Sequence, residues 1–306
     1  MKNKLLKDLW HVQDGFSEVP ICHEGTWSNN PYYYKKYKDS PGFFTTKNPQ
    51  GFRSKYDFSK LPEDAFKIGF FGCSITEGVG LCDGHRWVDM FLEEFKTKYN
   101  KNAIGLNFGK AACSNDYVLY NIEKALEEVE LDLVCCLLPT TNRRTFASPD
   151  SSKLKLPPWL NLPFVNLICS KGWGPYASGQ VDRNEYECLT RWIFTDENNY
   201  LNFSTNVRCI RYFLKEKNIP FILNKNEDSL FKDGEWLGDR TNVFGINVKF
   251  MDVARKISNN PELDFAYSKG LDFNVEKNCE GHPGIAYHEE VTKVFLKDYE
   301  DINKTT

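Results

Sequence analysis

What this chain lacks narrows the field first. No apolar stretch approaches the roughly 20 residues a helix needs to cross a bilayer. The longest, Leu131 to Pro139, has the length of a strand. The opening MKNKLLKDLWHVQDG interrupts its apolar residues with Lys7, Asp8 and His11, so it does not read as a secretory signal and a cytoplasmic location is expected. There is no basic stripe: the net charge is -3 and the two signs are interspersed, which argues against nucleic acid as a partner. No CxxC pair and no His/Cys cluster at metal spacing occurs, and Cys22-His23 stands alone. The ten cysteines are scattered, several within apolar segments such as Val134-Cys135-Cys136-Leu137, and read as reduced thiols rather than a disulfide framework. The glycines at 69, 72, 78, 80 and 84 fit neither G-x-x-x-x-G-K-[ST] nor G-x-G-x-x-G, because Gly84 falls one residue too far after Gly78-Val79-Gly80. No metal and no organic cofactor is therefore expected.

What is present is a regular alternation that begins at Phe66. Strand-like runs at Phe66–Cys73, Ala103–Phe108, Leu131–Leu138 and Ile219–Leu223 are separated by helix-like runs at His85–Tyr99, Asp116–Val129 and about Asn199–Lys217. Trp87, Val88, Phe91, Leu92 and Phe95 recur at three- and four-residue spacing, which makes one buried stripe. A further helix is expected over Val248–Ser258, a short strand at Phe265–Tyr267, and a closing helix after Pro283. Strands alternating with helices predict a three-layer α/β/α domain around a mostly parallel sheet. Residues 1–65 read as an arm that packs on the core, with a possible short helix at Lys4–Val12. Residues 66–306 read as a single domain carrying an aromatic-rich insertion at about 143–198.

In an open parallel sheet, ligands bind beyond the C-terminal ends of the strands. The residues there are Gly72-Cys73-Ser74-Ile75-Thr76-Glu77-Gly78, then Asn107-Phe108-Gly109-Lys110-Ala111-Ala112-Cys113-Ser114, then Pro139-Thr140-Thr141-Asn142-Arg143-Arg144; the loop before the closing helix holds Cys279-Glu280-Gly281-His282-Pro283-Gly284. Taken in order, these four blocks resemble those of the SGNH hydrolases, the GDSL esterase/lipase family. GCSITEG is similar to the GDSxTxG block and NFGKAACS to NxGxxGxS; PTTNR is similar to GxND and CEGHPG to DxxHP. The upstream NPQGFRS resembles a lead-in found in some members, including phage-encoded ones. The resemblance runs from about Asn48 to the last helix. It implies a flavodoxin-like sheet, Ser74 as nucleophile, His282 as base, and an oxyanion hole made by the N–H groups of Ser74 and Ala112 with the Asn142 amide. The implied substrate is a small-molecule or carbohydrate ester, with O-acetylated carbohydrate the first guess.

The residue types suit that chemistry. A neutral serine needs a base within hydrogen-bond reach, and histidine has the side chain whose ordinary pKa lies nearest neutrality. Preorganised donors then hold the developing oxyanion, each worth roughly 10²–10³ in turnover. Two positions depart from the resembling family. Ala112 stands where it has glycine, which keeps the N–H but adds a Cβ. Cys279 stands where it has the aspartate that orients the histidine. Three readings follow: a Ser/His dyad of weak activity, rescue by Glu280 or Asp272, or a binding or structural module that keeps the fold without the reaction. Arg143 and Arg144 are candidates to steer an anionic substrate. Trp159, Trp173 and Tyr176 are candidates for a sugar-stacking surface, and His288 reads as a packing or capping residue.

Overall fold

The computed structural model describes residues 10, 14–20, 44–81, 83–99, 101–141, 143–147, 164–168, 191–225, 243–245 and 285–305. In chain order its elements are β1 (Ser17–Pro20), β2 (Phe44–Lys47), β3 (Phe66–Gly72), the one-turn helix α1 (Ser74–Glu77), α2 (Trp87–Tyr99), β4 (Ala103–Asn107), α3 (Asn115–Glu128), β5 (Leu133–Leu138), β6 (Arg143–Ala147), β7 (Phe164–Ile168), α4 (Asp196–Glu216), β8 (Phe221–Lys225), β9 (Val243–Gly245) and α5 (Ile285–Thr305).

Five strands form one parallel sheet in the order β4-β3-β5-β8-β9. Counted from β3, that is the 2-1-3-4-5 order of flavodoxin-like folds, with its switch point between β3 and β5. Alternation along the strands divides the core in two. Phe71, Cys136 and Leu223 face a cluster with Tyr117, Ile122, Val207 and Ile210 of α3 and α4. Phe70, Cys135 and Ile222 face the other cluster, with Trp87, Phe91, Phe95 of α2 and Val291, Phe295 of α5. Strands buried on both faces read as continuous apolar runs, which is why LVCCLL and FKIGFFG are legible as strands. The fold is thus the three-layer α/β/α class expected from the alternation.

Element ends differ from the expected ones for local reasons. The second helix begins at Trp87 rather than His85, because Arg86 turns back to pair with Asp89 through Nε–Oδ2 at 2.6 Å and Nη2–Oδ1 at 3.0 Å. The strand expected at Ile219–Leu223 lies at Phe221–Lys225. Asn218 adopts a left-handed φ of 55°, and Ile219 N–H returns to Leu214 O at 3.0 Å, so residues 218–220 serve the helix exit. The strand then continues through polar residues: Asn224 is fully buried, and its amide donates to Asp298 Oδ2 at 2.8 Å. The antiparallel pairs β1–β2 and β6–β7 and the strand β9 were not anticipated. The expected helix Val248–Ser258 and strand Phe265–Tyr267 lie outside the described residues, as does the Lys4–Val12 helix apart from Trp10.

Trp10 packs against Phe52, Phe58 and Phe108 with ring centroids 5.5, 6.1 and 5.8 Å away, and its indole N–H donates to Asn121 Oδ1 at 2.8 Å. Among the described residues, no helix is long and apolar enough to cross a membrane.

Candidate active site

Ser74 is the first residue of α1, directly beyond the central strand β3. The turn that puts it there depends on Gly72, whose φ of 154° is open to glycine. A Cβ at Gly72 would stand 2.2 Å from Thr76 Oγ1 and 2.5 Å from Leu137 O. Cys73 precedes the helix in extended conformation, with its side chain buried in the core. Ser74 N–H, at the first helical position, has no acceptor within the helix. The helix stops after one turn because Gly78 is left-handed and Val79 N–H returns to Ser74 O at 2.9 Å, closing a Schellman cap. Ser74 is 6% exposed, so only a small part of it can meet a ligand.

The end of β4 and the loop after it are fastened to this turn by four hydrogen bonds. Lys110 N–H donates to Gly72 O at 3.0 Å, and Cys113 Sγ–H donates to the same oxygen at 3.4 Å. Asn107 Nδ2 donates to Thr76 O at 2.9 Å, while its Oδ1 accepts Gly109 N–H at 2.9 Å. Gly109 lies so close to α1 that a Cβ would stand 2.3 Å from Glu77 N. Glu77 Oε2 accepts Ala111 N–H. Ala112 follows in the left-handed region, φ 60°, at the third position of a turn closed by Cys113 N–H to Lys110 O at 3.3 Å. Turns of this kind favour glycine there, so Ala112 carries backbone strain of roughly 1–2 kcal/mol while its N–H remains a donor. Ser74 and Ala112 therefore sit on two loops joined by direct hydrogen bonds.

The third loop joins them through α3. Asn115 Nδ2 donates to Pro139 O at 3.1 Å, and Ser114, the N-cap of α3, contacts Thr145 Oγ1 through its Oγ at 2.6 Å. Asp116 accepts Thr145 N–H at 3.0 Å and the side-chain amides of Asn202 and Asn206 at 2.7 and 2.9 Å.

Beneath α1 lies a support that the sequence reading did not assign. Arg53 Nη1 donates to Gly78 O at 2.8 Å, and its Nε stands 3.8 Å from Glu77 Oε1. Arg86 Nη1 donates to Arg53 O at 3.0 Å, and Asp83 Oδ1 lies 3.2 Å from Arg86 Nη2. Burial alone would lower the Arg86 pKa and raise that of Asp89; the carboxylates of Asp89, Asp83 and Glu77 around Arg86, and the Arg86 charge with the Gly84 N–H at Asp89, together outweigh it, leaving Arg86 raised and Asp89 lowered. Asn48 organises the segment that delivers Arg53, its Oδ1 accepting Phe52 N–H and its Nδ2 donating to Tyr56 O, each at 2.9 Å. The signal was the NPQGFRS stretch itself.

Burial pushes the thiol of Cys113 well up, so it is a neutral donor to Gly72 O and no rival nucleophile. His288 is buried, and its Nδ1 accepts Trp87 N–H at 3.0 Å, which caps the start of α2 as the sequence suggested. Asn142, Asp272, Cys279, Glu280 and His282 lie outside the described residues, as do Trp159, Trp173 and Tyr176.

No family model and no curated protein matches this chain. Several solved structures similar to it are named as esterases or acylhydrolases. They include the psychrotrophic esterase EstA from Pseudoalteromonas sp., inhibited by monoethylphosphonate (12% identity, TM-score 0.42, 78% of this chain and 99% of that one). The acetyl xylan esterase AlAXEase is similar at 17% identity and TM-score 0.39, over 76% of this chain and 98% of its own. A putative acylhydrolase from Bacteroides fragilis is similar at 14% identity and TM-score 0.32, over 91% of this chain and 98% of its own.

Proposed function

We propose that the chain is a serine ester hydrolase acting through an acyl-Ser74 intermediate. The observation that carries this reading is the joining of the Ser74 turn to the Ala112 loop, through Lys110 N–H to Gly72 O and Glu77 to Ala111 N–H. Two backbone N–H groups are then available at the end of the central strand, where an ester carbonyl would meet them. Support also comes from the order of the four sequence blocks and from α5, whose Tyr287 packs in the same core cluster as Ile75 of α1.

In this mechanism His282 accepts the Ser74 proton as Oγ bonds to the ester carbonyl carbon. The oxyanion is held by Ser74 N–H, Ala112 N–H and the Asn142 amide. The C–O bond to the alcohol breaks, and His282 returns the proton to the leaving oxygen. Water, deprotonated by His282, then attacks the acyl carbon; the bond to Ser74 Oγ breaks, His282 returns the proton to Oγ, and the acid is released. No metal or organic cofactor enters these steps. The substrate class is an ester of a small acyl group, with O-acetylated carbohydrate the first to try. The five described cysteines are free, which fits action in a reducing compartment such as the cytoplasm. We take residues 66–306 as one domain and 1–65 as its arm.

Turnover of 4-nitrophenyl acetate by the wild-type chain, abolished in Ser74→Ala and in His282→Ala with both variants folded, supports the reading. Equal turnover in wild type and Ser74→Ala contradicts it. One residue favours a second reading: Cys279, in place of an acid, suits a binding module on the same fold. If Cys279→Asp raises turnover by orders of magnitude, the native site is an attenuated esterase; no change means that Glu280, Asp272 or another acid already serves.

A further inference from the structure

We propose that Arg53 is a positioning residue for the nucleophile turn: it sets Ser74 N–H and Ala112 N–H in place relative to each other without touching substrate. This inference rests on the esterase reading and goes past it, since Arg53 lies outside the four blocks that would carry the chemistry. A one-turn helix is not stable by itself, because nucleation is unfavourable and so short a segment gains too few bonds. The position of Ser74 is therefore fixed from outside α1. Arg53 reaches the far end of that turn, where its Nη1 donates to Gly78 O at 2.8 Å beside the Leu81 N–H that the same oxygen accepts. Gly78 N–H and Val79 N–H in turn donate to Ser74 O, each at 2.9 Å. The group that Arg53 grips is thus one hydrogen-bonded turn from the nucleophile.

The same guanidinium acts on the second donor. Its Nε stands 3.8 Å from Glu77 Oε1, an attraction without a direct hydrogen bond, and Glu77 Oε2 accepts the N–H of Ala111, next to Ala112. Arg53 and Glu77 are 3% and 6% exposed, so salt and water screen their charges little. The backbone of Arg53 is itself held: Arg86 Nη1 donates to its carbonyl at 3.0 Å, and Asn48 Oδ1 accepts Phe52 N–H just before it at 2.9 Å. A reacting site keeps its geometry only where the side chains behind it are locked in this way. Lysine could not perform both tasks, since one ammonium on a flexible stem lacks the planar fork that meets a carbonyl and a carboxylate together.

Hydrolysis of 4-nitrophenyl acetate and its inhibition by phenylboronic acid test this in wild type, Arg53→Met, Arg53→Lys, the double variant Arg53→Met/Glu77→Gln and Phe95→Leu. Both are expressed per site titrated to completion with a neutral fluorophosphonate, so a smaller folded fraction alone changes neither. Boron takes the Ser74 Oγ and sets an anionic B–O group where the oxyanion would form, so its affinity reports on the donors directly. Arg53→Met should lower kcat and kcat/KM together by roughly 10- to 100-fold with KM unchanged, the loss that follows a misplacement of roughly 1 Å. The boronate Ki should rise by the same factor, and Arg53→Lys should fall between. Phe95 packs against Phe66 and Tyr299, and Phe66 opens β3 at the end opposite Ser74. Phe95→Leu should therefore lose stability and keep the wild-type constants. If Arg53→Met does not fold with Glu77 left unpaired, Arg53→Lys and the double variant, which removes both charges, carry the comparison. Wild-type kcat and Ki per site in the folded Arg53 variants, a rise in KM alone, or an equal loss in Phe95→Leu overturns the proposal. Failure of the esterase reading is separately visible, as turnover that survives Ser74→Ala or as neither turnover nor adduct in folded wild type, and either result overturns this proposal with it.

Discussion

Glu77 accepts the backbone N–H of Ala111, and the same carboxylate faces the Arg53 guanidinium. One buried acid thereby joins the helix that begins with Ser74, the loop that carries Ala112 and the segment that precedes the core.

Replacing Glu77 separates its two tasks. Gln keeps an acceptor for Ala111 N–H but removes the negative charge that faces Arg53; Ala removes both. Breaking a buried pair typically costs about 3–5 kcal/mol, and the 3.8 Å separation places this one at the lower end. Urea denaturation should therefore show Glu77→Gln destabilised by about 3 kcal/mol and Glu77→Ala by more. Ester turnover should fall more in Ala than in Gln. Equal stability of Glu77→Ala and wild type would show that the clamp has no structural role.

Ala112 stands at φ 60°, where a Cβ is strained. Ala112→Gly removes roughly 1–2 kcal/mol of strain and adds back roughly 0.5–1 kcal/mol of chain entropy. The expected net gain is about 0.5–1 kcal/mol, with turnover kept or raised. Loss of stability in the glycine variant would mean that the methyl group packs usefully, against this account.

Asp298 is buried beside Asn224, and burial pushes its carboxyl up to about 6 despite the Asn224 hydrogen bond. The folded chain then binds more protons than the unfolded one between about pH 4, the ordinary carboxylate value, and about pH 6, so this group's contribution to stability falls as pH rises through that window. Above it the penalty is constant. Asp298→Asn should stabilise the protein at pH 7.5 by about 1–2 kcal/mol and leave it nearly unchanged at pH 4. Denaturation midpoints at the two pH values measure this, and an equal effect at both would refute the assignment.

The sheet was legible because β3 and β5 are buried on both faces and carry almost no polar residues; the helices were legible from apolar stripes such as Trp87, Phe91 and Phe95. Strand β8 was misplaced by two residues because its end, Asn224-Lys225, is polar yet buried, and only the distant Asp298 explains why. The turn at Ser74 could be read from its glycines, and the left-handed Ala112 was foreseen as a question about its Cβ. Arg53 and Glu77 were not seen, because an ion pair between residues 24 apart in the chain leaves no periodic trace.

The central claim is that Ser74 is a nucleophile rather than a corner residue. The direct measurement is mass spectrometry of the folded protein after treatment with a neutral fluorophosphonate. The account predicts one adduct, on the peptide carrying Ser74, absent in His282→Ala and in Ser74→Ala. No adduct on that peptide in folded wild-type protein, or labelling that persists in Ser74→Ala, would contradict it.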